Sequence, residues 1–252
     1  MITLRRDAHR HHQRYKGQQM WRTFGPHERE DLPAGGFGIL EALNEYLLPP
    51  GAAVPGAPGT DAEVLTYVQQ GTLAQEDSLG RSGVLQAGEF QRMTARRGVR
   101  QSATNPSRTD DARVFQVWLR PSEAGLLQSY EQKRFSVADR RGTLRIVASS
   151  DGQQDSLRIH PDALLYSVIL ELGQHIVHEL ARGRLAWLHV VSGEIVLADA
   201  ILSCGDGVGV DAERALSLTA RGQAELLLID IPSSPGSGEV RRDGAARQKG
   251  SG

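Results

Sequence analysis

Cysteine is nearly missing from this chain: of 252 residues, only Cys204 carries a thiol. No internal disulfide can form, which agrees with a reducing compartment, and a lone cysteine is ordinarily a small packing residue. Histidine is missing from the middle of the sequence. The eight histidines stand at 9, 11, 12, 27, 160, 175, 178 and 189, so none lies between 28 and 159. Long apolar runs are lacking too, and none approaches the roughly 20 residues that a membrane-spanning helix needs. The opening MITLRRDAHRHHQRYK has no apolar centre and is not expected to act as a secretory signal. The expected compartment is the cytoplasm, with no membrane partner. Neither sign of charge dominates: the formal net charge is -1, so no bulk field selects a partner. Residues 1–22 hold six Lys/Arg against one acid, which reads as a solvated basic terminus rather than a nucleic-acid surface. Signatures of metal-free catalysis are absent as well. There is no G-x-S-x-G, no defensible Cys/His pair, and no glycine-rich phosphate loop following a strand.

What the chain does have is turn residues and short apolar runs. It carries 28 glycines and 11 prolines. Between them lie strand-like segments: Gly36–Leu43, Glu63–Val68, Arg113–Leu119, Leu164–Leu172, Leu185–Val191, Glu194–Leu202 and Ala224–Ile231. Each is rich in Val, Ile, Leu or aromatics and bounded by Gly, Pro, Asp or Ser. Helical periodicity is scarce, and Ser122–Phe135 is the one helix expected, connecting two β units. The pattern predicts an all-β protein of sandwiches or barrels.

An internal echo sharpens this. EVLTYVQQGTLAQEDSLGRSGVLQAGEF and LAWLHVVSGEIVLADAILSCGDGVGV share one plan. A strand runs into Gly71 or Gly193, a second strand and a turn follow, and the chain returns through Gly88 or through Gly205 and Gly207. A repeat of this size suggests two copies of one small barrel. The final 20 residues, polar and glycine-rich, are expected to be a disordered tail.

The strand–Gly–strand–turn–Gly plan resembles that of cupins, whose first motif reads G-x5-H-x-H-x3-E-x6-G. Gly51, Glu63 and Gly71 fit that frame with one extra residue before Gly71. The stretch Gly83–Ser107, GVLQAGEFQRMTARRGVRQSATNPS, is similar to the pirin family's G-x-Q-x-M-T-A-G-x-G-x-x-H-S-E. MITLRR, WRTF, EVLTYVQQG, EDSLG, FQVWLRP and YEQKRF extend the likeness over both halves. The resemblance implies an all-β bicupin of two facing β-sandwich (jelly-roll) barrels, with the extreme N-terminus packed on the second. The expected division is an N-terminal barrel over 1–121, a connector over 122–142, a C-terminal barrel over 143–232 and a tail over 233–252.

Pirin-like proteins bind a divalent metal, usually iron, in the N-terminal barrel through three histidines and a glutamate. Some bacterial members are quercetin 2,3-dioxygenases, and an animal member is a nuclear cofactor of transcription regulators. Carried over residue by residue, the three histidine positions fall on Ala57, Gly59 and Gln101, and the glutamate position on Ala103. H-x-H on a strand directs two imidazoles to one face, and a third histidine with a carboxylate completes the set. Ala and Gly have no donor atom, and the neutral amide of Gln101 is a poor ligand for iron.

Replacement donors are few. Glu63 stands where other cupins place a carboxylate ligand, and it is expected to be a charged residue hydrogen-bonding at the pocket rim. His175 and His178 would point to opposite faces of a strand. His178 and His189 are expected to be structural or pocket-lining residues of the second barrel. The HRHH tract at 9–12 is expected to be an exposed basic tract that could pick up metal only adventitiously.

The expected function is therefore non-catalytic: a pirin-like bicupin without its metal site, acting as a small-molecule-binding or regulatory protein. The alternatives are a metal-dependent quercetin 2,3-dioxygenase-type oxidoreductase, and a regulator that binds a protein partner. No cofactor is expected. Truncated donors are expected to leave a less polar pocket around Ala57, Gly59, Gln101, Ala103 and Met93. That pocket would suit a small apolar or aromatic molecule.

Overall fold

Short alternating runs cut by glycine make strands that must find partners far along the chain. The computed structural model, which describes residues 1–24, 36–54, 61–95, 101–123 and 125–233, is built almost wholly of such strands. In chain order the first are β1 (Ile2–Arg5), β2 (His11–Tyr15), β3 (Gln18–Arg22), β4 (Leu40–Leu48), β5 (Ala62–Gln70), β6 (Thr72–Asp77) and β7 (Ser82–Gln86). Next come β8 (Glu89–Ala95), β9 (Gln101–Thr104), β10 (Ala112–Leu119), β11 (Ser129–Arg134) and the one short α-helix described, α1 (Val137–Arg140). The second half has β12 (Arg145–Ser149), β13 (Leu157–Arg158), β14 (Leu164–Leu170), β15 (His175–Glu179) and β16 (Arg184–Ser192). It closes with β17 (Glu194–Leu197), β18 (Ala200–Ser203), β19 (Gly207–Asp211), β20 (Ala215–Ala220) and β21 (Ala224–Pro232). No helix of the described residues is long and apolar enough to cross a membrane.

The strands form two barrels, each a pair of sheets. In the first, the order β11-β8-β5-β10-β4-β3-β2 lies against β7-β6-β9; in the second, β1-β19-β16-β21-β14-β12-β13 lies against β15-β20-β17-β18. The pairings match one for one. β5 lies between β10 and β8 as β16 lies between β21 and β19, and β6 pairs β7 and β9 as β17 pairs β18 and β20. This is the bicupin architecture, and the echo in the sequence is its trace. Gly71 and Gly193 hold the matching corners at φ +77° and +79°. A Cβ on Gly193 would sit 2.1 Å from the Gln223 oxygen, so only glycine fits.

Each large sheet is completed from outside its own half. β1 pairs with β19 of the second barrel, while β11 pairs with β8 of the first. The segment 122–142, expected to be a connector, thus supplies an edge strand to the first barrel and then α1. The helix expected over Ser122–Phe135 is corrected by the same finding, because the long-range ladder to β8 overrides local propensity there. Glu194–Leu202 is not one strand but the hairpin β17–β18, which turns at Ala198 with φ +51°.

Alternation sorts the side chains into three cores. Inside the second barrel, Val168, Leu188, Leu226 and Leu228 pack with Leu218 and Leu202 of the facing sheet. Inside the first barrel are two separate apolar clusters. One is built on Leu48, Val68, Val114 and Leu73, and the other on Ala62, Val64, Met93 and Trp118. The third core is the seam between the barrels, where Leu65, Tyr67, Phe90 and Phe115 meet Leu165, Trp187, Leu227 and Ile229.

Candidate functional site

What separates the two apolar clusters inside the first barrel is a polar row. In register across neighbouring strands, Asn44 of β4 pairs with Gln116 of β10, Gln116 with Thr66 of β5, Thr66 with Gln91 of β8, and Gln91 with Gln132 of β11. Directly paired residues share a face of the sheet. The neighbours of Thr66 and Gln116 on that face, Val64, Val68, Val114 and Trp118, belong to the barrel's interior clusters. From Asn44 to Gln91 the row is therefore an inward belt of amides and one hydroxyl, while Gln132 at the sheet edge is exposed and donates to Val84 O at 3.0 Å and Glu89 Oε2 at 2.9 Å. Gln116 donates to the Thr66 hydroxyl at 3.4 Å. From the facing sheet Gln75 adds another amide; its Oε1 is buried without a hydrogen-bond partner among the described residues, as are Asn44 Oδ1 and Trp118 Nε1.

Gln75, Gln91 and Gln101 line one cavity of about 300 Å³ between the two sheets, with Asp77, Arg81 and Tyr130 at its mouth. Asp77 is occupied by its own turn: its carboxylate accepts the Leu79 and Arg81 backbone N–H groups at 2.9 and 3.0 Å, the Tyr130 hydroxyl at 2.9 Å and the Gln128 amide at 3.2 Å. Burial pushes that carboxyl up, but these hydrogen bonds outweigh it and hold it below the usual carboxylate range. Burial and the bond to Asp77 raise the Tyr130 phenol to about 12. The Arg81 guanidinium lies over the Tyr130 ring, 5.8 Å from its centre.

Of the four positions that the resemblance assigns to metal ligands, Ala57 and Gly59 lie outside the described residues. Gln101 and Ala103 are on β9. Ala103 is buried in the apolar cluster with Leu73 and Val54, and it offers only its backbone oxygen, already bonded to Val54 N at 2.8 Å. Gln101 faces the cavity with a neutral amide. Among the described residues no three His, Cys, Asp or Glu side chains converge as a metal would require. At the two described positions the only side-chain donor is the neutral amide of Gln101, a poor ligand for a transition metal. Of the described residues expected around a less polar pocket, Gln101 lines this amide-rich cavity, whereas Ala103 and Met93 pack in apolar clusters. Met93 packs with Val64 and Trp118 and does not line this cavity.

Glu63 is not at the pocket rim. It sits on the opposite face of β5, fully buried at the seam. There Thr94 donates to its Oε2 at 3.1 Å, His160 Nδ1 lies 3.2 Å away, and Arg92 approaches Oε1 at 3.6 Å. Burial dominates and raises the carboxyl above its usual range, while His160 and Arg92 oppose the shift. No motif marks the contact with His160, which comes from the other barrel 97 residues away.

His175 and His178 do take opposite faces of β15: His175 is exposed and His178 buried. His178 contacts Asp230 through Nε2 at 2.9 Å, and Arg184 holds the other oxygen of Asp230 at 2.7 Å. His189 lies on the seam, not inside the second barrel, because it shares a face of β16 with Trp187 and Val191. Its ring packs edge-on to Phe115 with centres 5.9 Å apart.

Family models match both halves: Pirin over residues 4–119, and the quercetinase C-terminal cupin domain over 146–231. A quercetin 2,3-dioxygenase of Escherichia coli K12 is 35% identical over 232 residues, 92% of this chain and 99% of the relative. The chain belongs to the pirin family. A pirin-like protein of Caulobacter vibrioides is 31% identical over 195 residues, 77% of this chain and 84% of that relative. The solved structure of the bacterial pirin YhhW from Escherichia coli in complex with nickel(II) superposes with a TM-score of 0.83 at 35% identity, covering 92% of this chain and 99% of YhhW. Within this pirin-family frame, the polar row was the feature that sequence reasoning missed. The only available signal was an Asn, Thr or Gln in each of the strands NEYLL, VLTYV, EFQRM, VFQVW and YEQKR.

Proposed function

We propose that this pirin-family bicupin is a non-catalytic small-molecule-binding protein whose N-terminal barrel works without a transition metal. The observation that carries this reading is β9. Ala103 stands there with no donor inside an apolar cluster, and Gln101 presents only a neutral amide to the cavity. The sequence at Ala57 and Gly59 agrees, since neither residue has a donor atom. The names of the relatives speak for an oxidoreductase of the quercetin 2,3-dioxygenase type, but a shared fold does not carry an activity when the donor set differs.

Protein purified without a histidine tag and dialysed against a weak chelator is expected to hold well under one equivalent of Fe, Ni, Co, Cu, Mn or Zn by elemental analysis. About one equivalent per chain, the stoichiometry of a mononuclear site, would overturn the reading. The converse experiment restores the donors. Ala57→His, Gly59→His, Gln101→His and Ala103→Glu together should create a site that takes up Ni(II) or Fe(II). A folded quadruple variant that binds neither metal would show that these four positions no longer converge.

A further inference from the structure

The ligand that the first barrel takes can be narrowed from the chemistry of its walls; this step rests on the small-molecule reading above. Buried polar groups are nearly always hydrogen-bonded, and leaving one unpaired costs about 1–3 kcal/mol. Here the Gln75 oxygen, in the wall of the cavity, is buried with no hydrogen-bond partner among the described residues. Gln91 and Gln101 line the same cavity as Gln75. Gln75 and Gln91 are each more than nine-tenths buried. Each amide offers both a donor and an acceptor.

Three classes of occupant can be weighed against those walls. An apolar molecule would seal the amides away unpaired, the costliest outcome. A charged molecule needs a counter-charge at depth. The described charges of the lining stay near the mouth: Glu76 is exposed there, Asp77 is held by its own turn, Arg81 lies over Tyr130, and Glu131 meets Arg92 at 3.7 Å and Lys133 at 3.6 Å. A flat aromatic molecule has two apolar faces, whereas the amides come from opposed walls, Gln91 on β8 and Gln75 and Gln101 on β6 and β9. A molecule with hydroxyls around its whole perimeter satisfies them all.

We infer that the first barrel binds a neutral polyol, a free monosaccharide or cyclitol, with Gln75, Gln91 and Gln101 as its hydrogen-bonding residues. The cavity of about 300 Å³ is at the small end of ligand pockets, which suits one ring and not a chain of them.

Titration calorimetry with D-glucose, D-galactose, D-xylose and myo-inositol, with gluconate and quercetin run alongside, tests this. At least one of the four polyols is expected to bind saturably, and gluconate and quercetin more weakly or not at all. Gln91→Leu and Gln75→Leu are each expected to weaken polyol binding about tenfold or more, equivalent to the loss of one good hydrogen bond. They should also leave the thermal midpoint of the free protein unchanged or raised, because leucine removes a polar group from a position that is more than nine-tenths buried. Amides with a merely structural role would lower that midpoint and leave binding unmoved, which would overturn the inference. So would saturable binding of quercetin or gluconate in preference to every polyol, or no polyol binding at all. Those failures leave the metal-free reading standing, since that is decided by elemental analysis and not by the titrations.

Discussion

His189 has no exposure, and neither ring nitrogen has a hydrogen-bond partner among the described residues. Burial comes first in holding its pKa well below 6.5, and the nearby Arg10 and Arg113 guanidinium groups add to it. The folded protein therefore keeps the ring neutral where the unfolded chain would protonate it. Stability is full above the unfolded value of 6.5 and falls as the pH drops below it. His189→Leu removes that proton uptake and replaces two unpaired nitrogens with methyl groups. Urea unfolding should find the variant at least as stable as the parent at neutral pH. Below pH 6.5 the gap in its favour should widen by about 1.4 kcal/mol per pH unit, the value of one proton. A gap that stays constant with pH would mean that the native ring protonates as readily as the unfolded one.

At the scale of elements, the corner glycines separate conformational strain from steric exclusion. Gly51 and Gly193 have nearly the same φ, +74° and +79°, but a Cβ on Gly51 meets nothing within 4 Å while one on Gly193 meets Gln223 O at 2.1 Å. Gly51→Ala should cost about 1–2 kcal/mol, the left-handed penalty alone. Gly193→Ala should cost about 3 kcal/mol or more, because strand β21 must move as well. Equal urea midpoints for the two variants would refute the steric part. The same corners show why the elements could be read from the sequence. Gly71 and Gly193 are obligatory where one strand turns into the next sheet, so the repeat left a visible trace. Ser122–Phe135 and Glu194–Leu202 misled for opposite reasons. SYEQKR becomes a strand only because β8 is there to pair with it, and the hairpin after Leu197 turns on Ala198 without any Gly, Pro or Asn signal. The site was legible in part for a related reason. Gln101 and Ala103 could be placed from motif spacing, whereas the polar row is a property of register. Alternation assigns Thr66, Gln91 and Gln116 each to a face, but only the ladder sets them side by side.

On the scale of the whole molecule, the barrels are joined by matching strands of the repeat, and buried ion pairs mark both halves of the joint. On one side Arg10 reaches Glu45 at 2.8 Å, with Arg113 on the other oxygen at 2.6 Å. On the other side Arg140, placed by the capping box of Ser136 and Asp139 at the start of α1, reaches Glu225 at 2.7 Å. Tyr67 of the first barrel and Ser167 of the second close this network around the Arg140 guanidinium at 3.0 and 3.1 Å. The guanidinium also lies over the rings of Tyr67 and Phe90. A buried ion pair is costly to halve and cheap to replace, because a lone buried charge keeps its desolvation penalty without its partner. Arg140→Met should therefore destabilise the protein by about 3–5 kcal/mol. Arg140→Met with Glu225→Leu should recover most of that loss, since the seam around it is already apolar. Both variants should unfold in one transition, because Leu65, Phe115, Trp187 and Leu227 form a core common to the two barrels. A double variant no more stable than Arg140→Met would place the energy in the bonds to Tyr67 and Ser167 rather than in the charge pair. A split into two transitions would show that the Arg140 network, and not the shared apolar seam, makes the barrels fold as one.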